Sequence, residues 1–230
     1  MSAADYSGWG VSPGLIVTIF GDNLGPAALT TAGPAEGGMA SKSIAETKVL
    51  FDGVPAPLLY VASGQLGAIV PYDVAGRDST QVQVEHRGVR SFPTEVPVLP
   101  SVPGIFSLDN TGRGRGAVLN QDGTINSPGN AAAKGSVVSV YATGGGQTEP
   151  WGVDGRITTT LLPKPLIPVR VLVGGVLGDV TYAGAAPGFV AGLMQINVRI
   201  PSDVANGPAV PVTLNIGDAS SPQLITISVQ

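Results

Sequence analysis

The sequence predicts an all-β chain made of two tandem immunoglobulin-like sandwiches joined by a bridging hairpin segment. Three observations predict it: sequence blocks that recur in order, a period of two within those blocks, and a composition suited to turns. Glycine and proline are expelled from helix interiors and mark turns between short strands, and the 230 residues contain 33 Gly and 20 Pro. Charged residues make up only 12%, against about 25% in an ordinary globular chain. The length is enough for two domains that each close their own core.

The recurrence comes first because a missed repeat mis-assigns the whole fold. Ser12–Gly21 lies over Ala133–Ala142, each a glycine turn followed by an aliphatic strand. Thr47–Gly53 lies over Val169–Gly175, and Gly64–Pro71 over Met194–Pro201, with Gln65 on Gln195 and Pro71 on Pro201. Ser79–Val84 is set over Val210–Asn215. Within the blocks Ile196, Val198 and Ile200 alternate with Gln195, Asn197 and Arg199, and Ile225, Ile227 and Val229 alternate in the same way. That is the pattern of a half-buried antiparallel strand. Asp52-Gly53, Arg87-Gly88, Asp122-Gly123 and Gly217-Asp218 fall between strands as turn pairs. The reading divides the chain into a first copy at 1–100, a bridge at 101–132 and a second copy at 133–230. The bridge contains a hairpin over Ala117–Asn126 that is too small to stand alone, so it is expected to pack on one or both sandwiches.

The same residues resemble known families. Pro13-Gly14, Val17–Ile19, Gly21–Leu24 and Gln65–Pro71 are similar to the pattern of an IPT/TIG immunoglobulin-like domain. The chain as a whole resembles the uncharacterised C-terminal domains of large exported proteins in soil acidobacteria of the Solibacter type. That likeness rests on Ala3–Gly14, Tyr60–Gln65, Pro103–Phe106, Tyr141–Gly144, Tyr182–Gly184 with Pro187–Phe189, and Gln195–Val198. It implies a secreted or cell-surface setting, with other domains of a longer parent chain as partners, and it transfers no catalytic residue. Met1–Gly10 has neither the basic stretch nor the apolar core of an export signal; the resemblance places any such signal upstream.

Composition excludes several chemistries. With 12 Lys+Arg against 16 Asp+Glu, the chain lacks the basic surface that nucleic-acid binding needs. No cysteine is present, so disulfides and thiolate catalysis are excluded. No apolar run reaches the length of a membrane span. His86 is the single histidine; it is the weak catalytic candidate, since a Ser-His-Asp site would have to use it. Its place beside Arg87-Gly88 predicts an exposed hairpin tip instead. Asn120, Asp122 and Asn126 surround a tight turn and offer oxygens to calcium, or bond their own backbone as Asx residues do. Trp9 and Trp151 lie in Gly/Pro-rich loops, placed to stack on a sugar or to plug a domain end. The leading function is a non-catalytic module for adhesion, docking or spacing, with a glycan or surface protein as ligand. The alternative is a hydrolase, esterase-like or glycan-cleaving, with its site between the copies.

Overall fold

The computed structural model describes residues 1–33, 35–222 and 224–230. The chain is two tandem immunoglobulin-like sandwiches, and among the described residues there is no α-helix, only a three-residue 3₁₀ turn at Tyr72–Val74. The longer strands of the first copy are β1 (Ile16–Phe20), β2 (Thr47–Phe51), β3 (Leu58–Val61), β4 (Gln65–Ile69), β5 (Ser79–His86) and β6 (Thr94–Pro97). Those of the second are β7 (Val137–Thr143), β8 (Val169–Val173), β9 (Asp179–Ala185), β10 (Met194–Arg199), β11 (Gly207–Ile216) and β12 (Ile225–Val229).

Pairing confirms the duplication. One sheet of the first copy runs β1-β4-β3 and one of the second runs β7-β10-β9. The facing sheets run β2-β5-β6 and β8-β11-β12. Val17 pairs with Ala68 as Val138 pairs with Val198, and Phe20 with Gln65 as Tyr141 with Gln195. The fourth block needs correction. Val49 faces Val84, and Val171 faces Leu214, so Thr80, not Ser79, is the counterpart of Val210. A one-residue slip turns every side chain to the opposite face: the alignment from Ser79 sets the buried Val84 on Asn215, whereas the pairing sets it on the buried Leu214.

Each sandwich closes its own core. Leu15, Val49, Phe51, Leu58, Val61 and Leu66 lead the first, and Val138, Val171, Ile196, Val212, Leu214 and Ile227 the second. The alternation of the sequence is realised here: on β10, Met194, Ile196 and Val198 are buried while Gln195, Asn197 and Arg199 face outward or half outward.

Most of segment 101–132 sides with the second copy, while Val102 is buried in the first core and Asn110 O accepts from the Tyr6 hydroxyl. Gly104–Ile105 and Val118–Leu119 pair with the outer edge of β7, and Gly114–Arg115 runs parallel to β12. Ile105, Val118 and Ala132 enter the second core. The expected hairpin forms as a short one: Asn120 N–H bonds Thr124 O at 2.8 Å, Leu119 bridges Ile125 in antiparallel fashion, and Asn126 N–H bonds Val118 O at 3.0 Å.

The two sandwiches are locked by a polar joint. The Thr143 hydroxyl, fully buried, accepts from Ile16 N–H at 3.0 Å and donates to Gly192 O at 2.9 Å. Asp154 accepts the Tyr72 N–H at 2.8 Å. Gly38–Ala40 pairs with Gly155–Ile157 through Ala40 N–H to Gly155 O (2.7 Å) and Ile157 N–H to Gly38 O (2.8 Å). The Ala186–Leu193 loop, where the second copy carries residues the first lacks, backs this pairing: Thr158 N–H bonds Phe189 O, and Ala191 N–H bonds Arg156 O. Burial, with the Asp154 charge adding to it, pushes the Tyr72 phenol far above its ordinary range.

Two glycines make the joint possible. Gly144 has φ +81° and Gly192 φ +111°; a Cβ on the first would run into the Val102 carbonyl, and on the second into that of Gly14. Gly144→Ala or Gly192→Ala is expected to cost at least about 2 kcal/mol in urea unfolding. Gly123→Ala, at φ +80° in open space, should cost only about 1 kcal/mol.

Asp52, in the turn after β2, ties that turn to β5. It accepts from Gln81 N–H (2.8 Å), Thr80 Oγ1 (2.8 Å) and Arg77 (2.6 Å). The Gln81 amide, then Thr80 and Arg77, hold its carboxyl below the usual range against an opposing effect of burial. Because the native value is depressed, this contribution is complete above the unfolded value of about 4 and is lost as pH falls through the native one. Asp52→Asn should therefore flatten the acid limb of the stability–pH curve and leave its slope above pH 5 unchanged.

Candidate functional site

An apolar cleft opens in the first sandwich, between the outer edge of β1 and that of β6. It encloses about 580 Å³. Its floor is the inner faces of the two sheets: Ile19, Leu24, Phe51, Val82, Val84 and Val96. These residues point inward because the strand period puts them on the core face, yet Ile19, Val82 and Val96 remain half-buried. Phe20 and Phe92 stand on the rim, Phe92 at 93% exposure. Trp9 lies between Gly8 and Gly10, both of which line the cleft, and is 85% exposed. The Tyr6 ring tilts against Phe20 at 6.2 Å. Solvent-exposed aromatics around an apolar cleft are the surface chemistry of recognition, since a single large exposed patch on a soluble chain is seldom without a use.

The residues singled out from sequence are scattered. His86 ends β5 and is half-buried, not an exposed turn tip; its register partner is Thr47, whose hydroxyl lies 2.9 Å from Nδ1. The neighbouring Glu85 is drawn to Arg90 at 2.6 Å and Lys48 at 3.5 Å. Trp151 is 66% exposed beside Gly152, which packs on the Tyr72 ring at the joint. Neither tryptophan plugs a domain end.

Asn120 and Asn126 are brought together, with Asn126 Nδ2 donating to Asn120 Oδ1 at 2.9 Å. Asn126 is buried and also reaches β12: Ser228 N–H donates to its Oδ1 at 2.7 Å, and its Nδ2 donates to Ser228 O at 3.0 Å. Asp122 turns away to accept the Thr124 hydroxyl (2.6 Å) and amide (3.0 Å), which hold its carboxyl below the usual range. The three side chains thus work as turn and tether groups. Among the described residues no group of three or more His, Cys, Asp or Glu is placed to share a metal ion, and no helix is long and apolar enough to cross a membrane.

The cleft itself was not singled out by sequence reasoning. Its signal was the combination of Trp9, Phe20 and Phe92 on loops and strand ends of one copy, of which only Phe20 has an aromatic counterpart in the other, Tyr141.

With the geometry in view, comparison with known proteins gives two findings. Residues 5–97 match the IPT/TIG domain, which is the first sandwich and the cleft within it. Domains of this kind are in general interaction modules within larger proteins. The second sandwich lies outside that match and repeats its strand pairing. Solved structures with some likeness include the I9-I11 tandem from titin, at 11% identity and a TM-score of 0.23, over 93% of this chain and 66% of that chain; this chain thus spans just under two thirds of its length. No curated protein matches the chain.

Asn126→Ala removes the acceptor of Ser228 N–H and one of the two donors to Ser228 O, which keeps Ala132 N–H. It should lower the unfolding free energy by about 2 kcal/mol and do so equally with calcium or with chelator present. A loss seen only in calcium would return these residues to a metal site.

Proposed function

We propose that the chain is a non-catalytic docking and spacing module of a secreted or cell-surface protein, holding other domains of a longer parent chain at a fixed separation. One observation carries this reading: the buried joint centred on Thr143, which bonds both copies through one hydroxyl. Two sandwiches linked only by a flexible tether would not need a threonine, an aspartate and a two-stranded pairing between them. Inter-domain interfaces are mobile by default unless large or specifically bonded, and this one is bonded at Ile16, Tyr72, Gly38 and Ala40. The exported setting is supported by the likeness of the whole chain to C-terminal domains of acidobacterial exported proteins. A surface glycan is the second candidate ligand, supported by the exposed rings of Trp9 and Trp151.

Small-angle scattering tests the spacer. One inter-module arrangement should fit the profile of the unmodified chain, and Thr143→Val with Asp154→Ala should broaden the distance distribution. A profile of the unmodified chain that needs a spread of angles would contradict the reading, as would turnover of p-nitrophenyl esters or glycosides. Any glycan-array signal should fall at least about tenfold in Trp9→Ala, the loss expected when one stacked ring is removed.

A further inference from the structure

Equivalent strand positions build different outer faces in the two copies. In the first, Tyr60 on β3 stands beside Gly67 on β4. Its ring covers that glycine, where any Cβ would strike it, and its hydroxyl lies 3.5 Å from the Thr18 hydroxyl on β1. The ring thereby closes the outer face of the β1-β4-β3 sheet. In the second copy Tyr182 on β9 stands beside Asn197 on β10, and Ser139 on β7 takes the place of Thr18. The Asn197 side chain occupies the ground that a glycine leaves free. Tyr182 turns along its own strand instead, over Gly184, and donates to Ala185 O at 2.7 Å. The outer face of β7-β10-β9 stays open.

On this face the amides hold each other in place. Asn197 Oδ1 accepts from Ser139 Oγ and from Gln195 Nε2, both at 2.9 Å. Those bonds leave Asn197 Nδ2 as an unspent donor and Gln195 Oε1 as an unspent acceptor, neither of them bonded among the described residues nor shut off from solvent. Tyr141, in register with Gln195, is half-buried. Phe189, 49% exposed, meets the Tyr141 ring edge-on, with centroids 6.3 Å apart at 61°. The charges at the margin are engaged: Lys164 Nζ lies 6.0 Å from the centre of the Tyr182 ring, and Arg199 faces Asp179 at 3.7 Å.

A fixed donor beside a fixed acceptor matches two neighbouring hydroxyls, since each hydroxyl both gives and takes a hydrogen bond. An aromatic corner next to them matches a pyranose ring, whose C–H face is apolar and whose edge is polar. With the marginal cations already engaged, the complement is uncharged.

We propose that this face binds a neutral glycan: one hexopyranose ring stacks in the corner of Tyr141 and Phe189, while two adjacent hydroxyls bond Asn197 Nδ2 and Gln195 Oε1. Because the amides are already positioned, binding costs little further ordering. The ligand class rests on the glycan reading above; the place is a second one, on the other copy from Trp9. Immobilised glycans engage both places at once, so an array signal falls when either is lost. A short soluble oligosaccharide separates them.

Calorimetric titration of the Trp9→Ala chain with cellohexaose and with isomaltohexaose, β- and α-linked glucose oligomers, reads this face without that of Trp9. Saturable binding of at least one is expected. Asn197→Asp keeps the shape and the acceptor used by Ser139 and Gln195 but loses the outward donor, and should weaken binding about tenfold. Tyr141→Ala should weaken it by at least about tenfold, and Tyr141→Phe, which keeps the ring, should leave it unchanged. No binding of either oligosaccharide to Trp9→Ala overturns the proposal, as does binding that neither Asn197→Asp nor Tyr141→Ala alters. If the unmodified chain binds where Trp9→Ala does not, this face is refuted and the glycan reading stands; if neither chain binds, both fall.

Discussion

Two stacked β-sheets exclude water only where something closes the seam between their outermost strands. Inner faces about 10 Å apart are covered above and below by each other, but at the sides the core is open and the last strand of each sheet presents unpaired peptide groups. The second sandwich meets this constraint with its own upstream chain. Ile105 and Val118 enter the core, and Gly104–Ile105, Gly114–Arg115 and Val118–Leu119 occupy the edges of β7 and β12. The first meets it only in part, with Met1–Ala3 along β1 and Val11 along β6. The 580 Å³ cleft is the remainder.

The joint follows from the same economy of edges. Ile16 N–H points outward from β1, and Thr143 at the end of β7 takes it, so an exposed edge of one sandwich is satisfied by the other. Gly144 and Gly192 let the backbones approach closely enough for this, and the Ala186–Leu193 loop presses the Gly155–Ile157 strand onto Gly38–Ala40. The added residues of the second copy thus serve the contact between modules. The distinctive surface of the first copy, the rings of Trp9, Phe20 and Phe92, remains in solvent at the open seam.

Much of this was legible in the sequence, and the limits have physical causes. Strand positions and the duplication were readable because a half-buried strand writes its face into the chain with a period of two. Register was legible in the alternation but missed: setting Ser79 on Val210 puts Val82 and Val84 on Thr213 and Asn215, and only the shift by one residue puts them on the apolar Val212 and Leu214. The allegiance of 101–132 was hidden because its pairings are two residues long, too short for any periodicity. His86 reads as a tip from its neighbours Arg87-Gly88, but only pairing reveals Thr47 opposite. The cleft could not be found from apolar residues alone, since Ile19, Val82 and Val96 carry the same pattern as their buried counterparts. What differs is the pairing beside them: among the described residues none bonds the outward backbone groups of Phe20 and Glu95.

The asymmetry of the two seams is measured most directly by amide hydrogen exchange in the free chain, residue by residue. Phe20 and Tyr141 occupy the same place in equivalent strands, and among the described residues only Tyr141 has a backbone partner for its outward N–H. Open edges exchange readily and paired core strands slowly. The account predicts that Phe20 and Glu95 exchange with little protection while Tyr141 and Gly116 are protected by orders of magnitude. Equal protection at Phe20 and Tyr141 would mean that the first seam is already closed, and would contradict it.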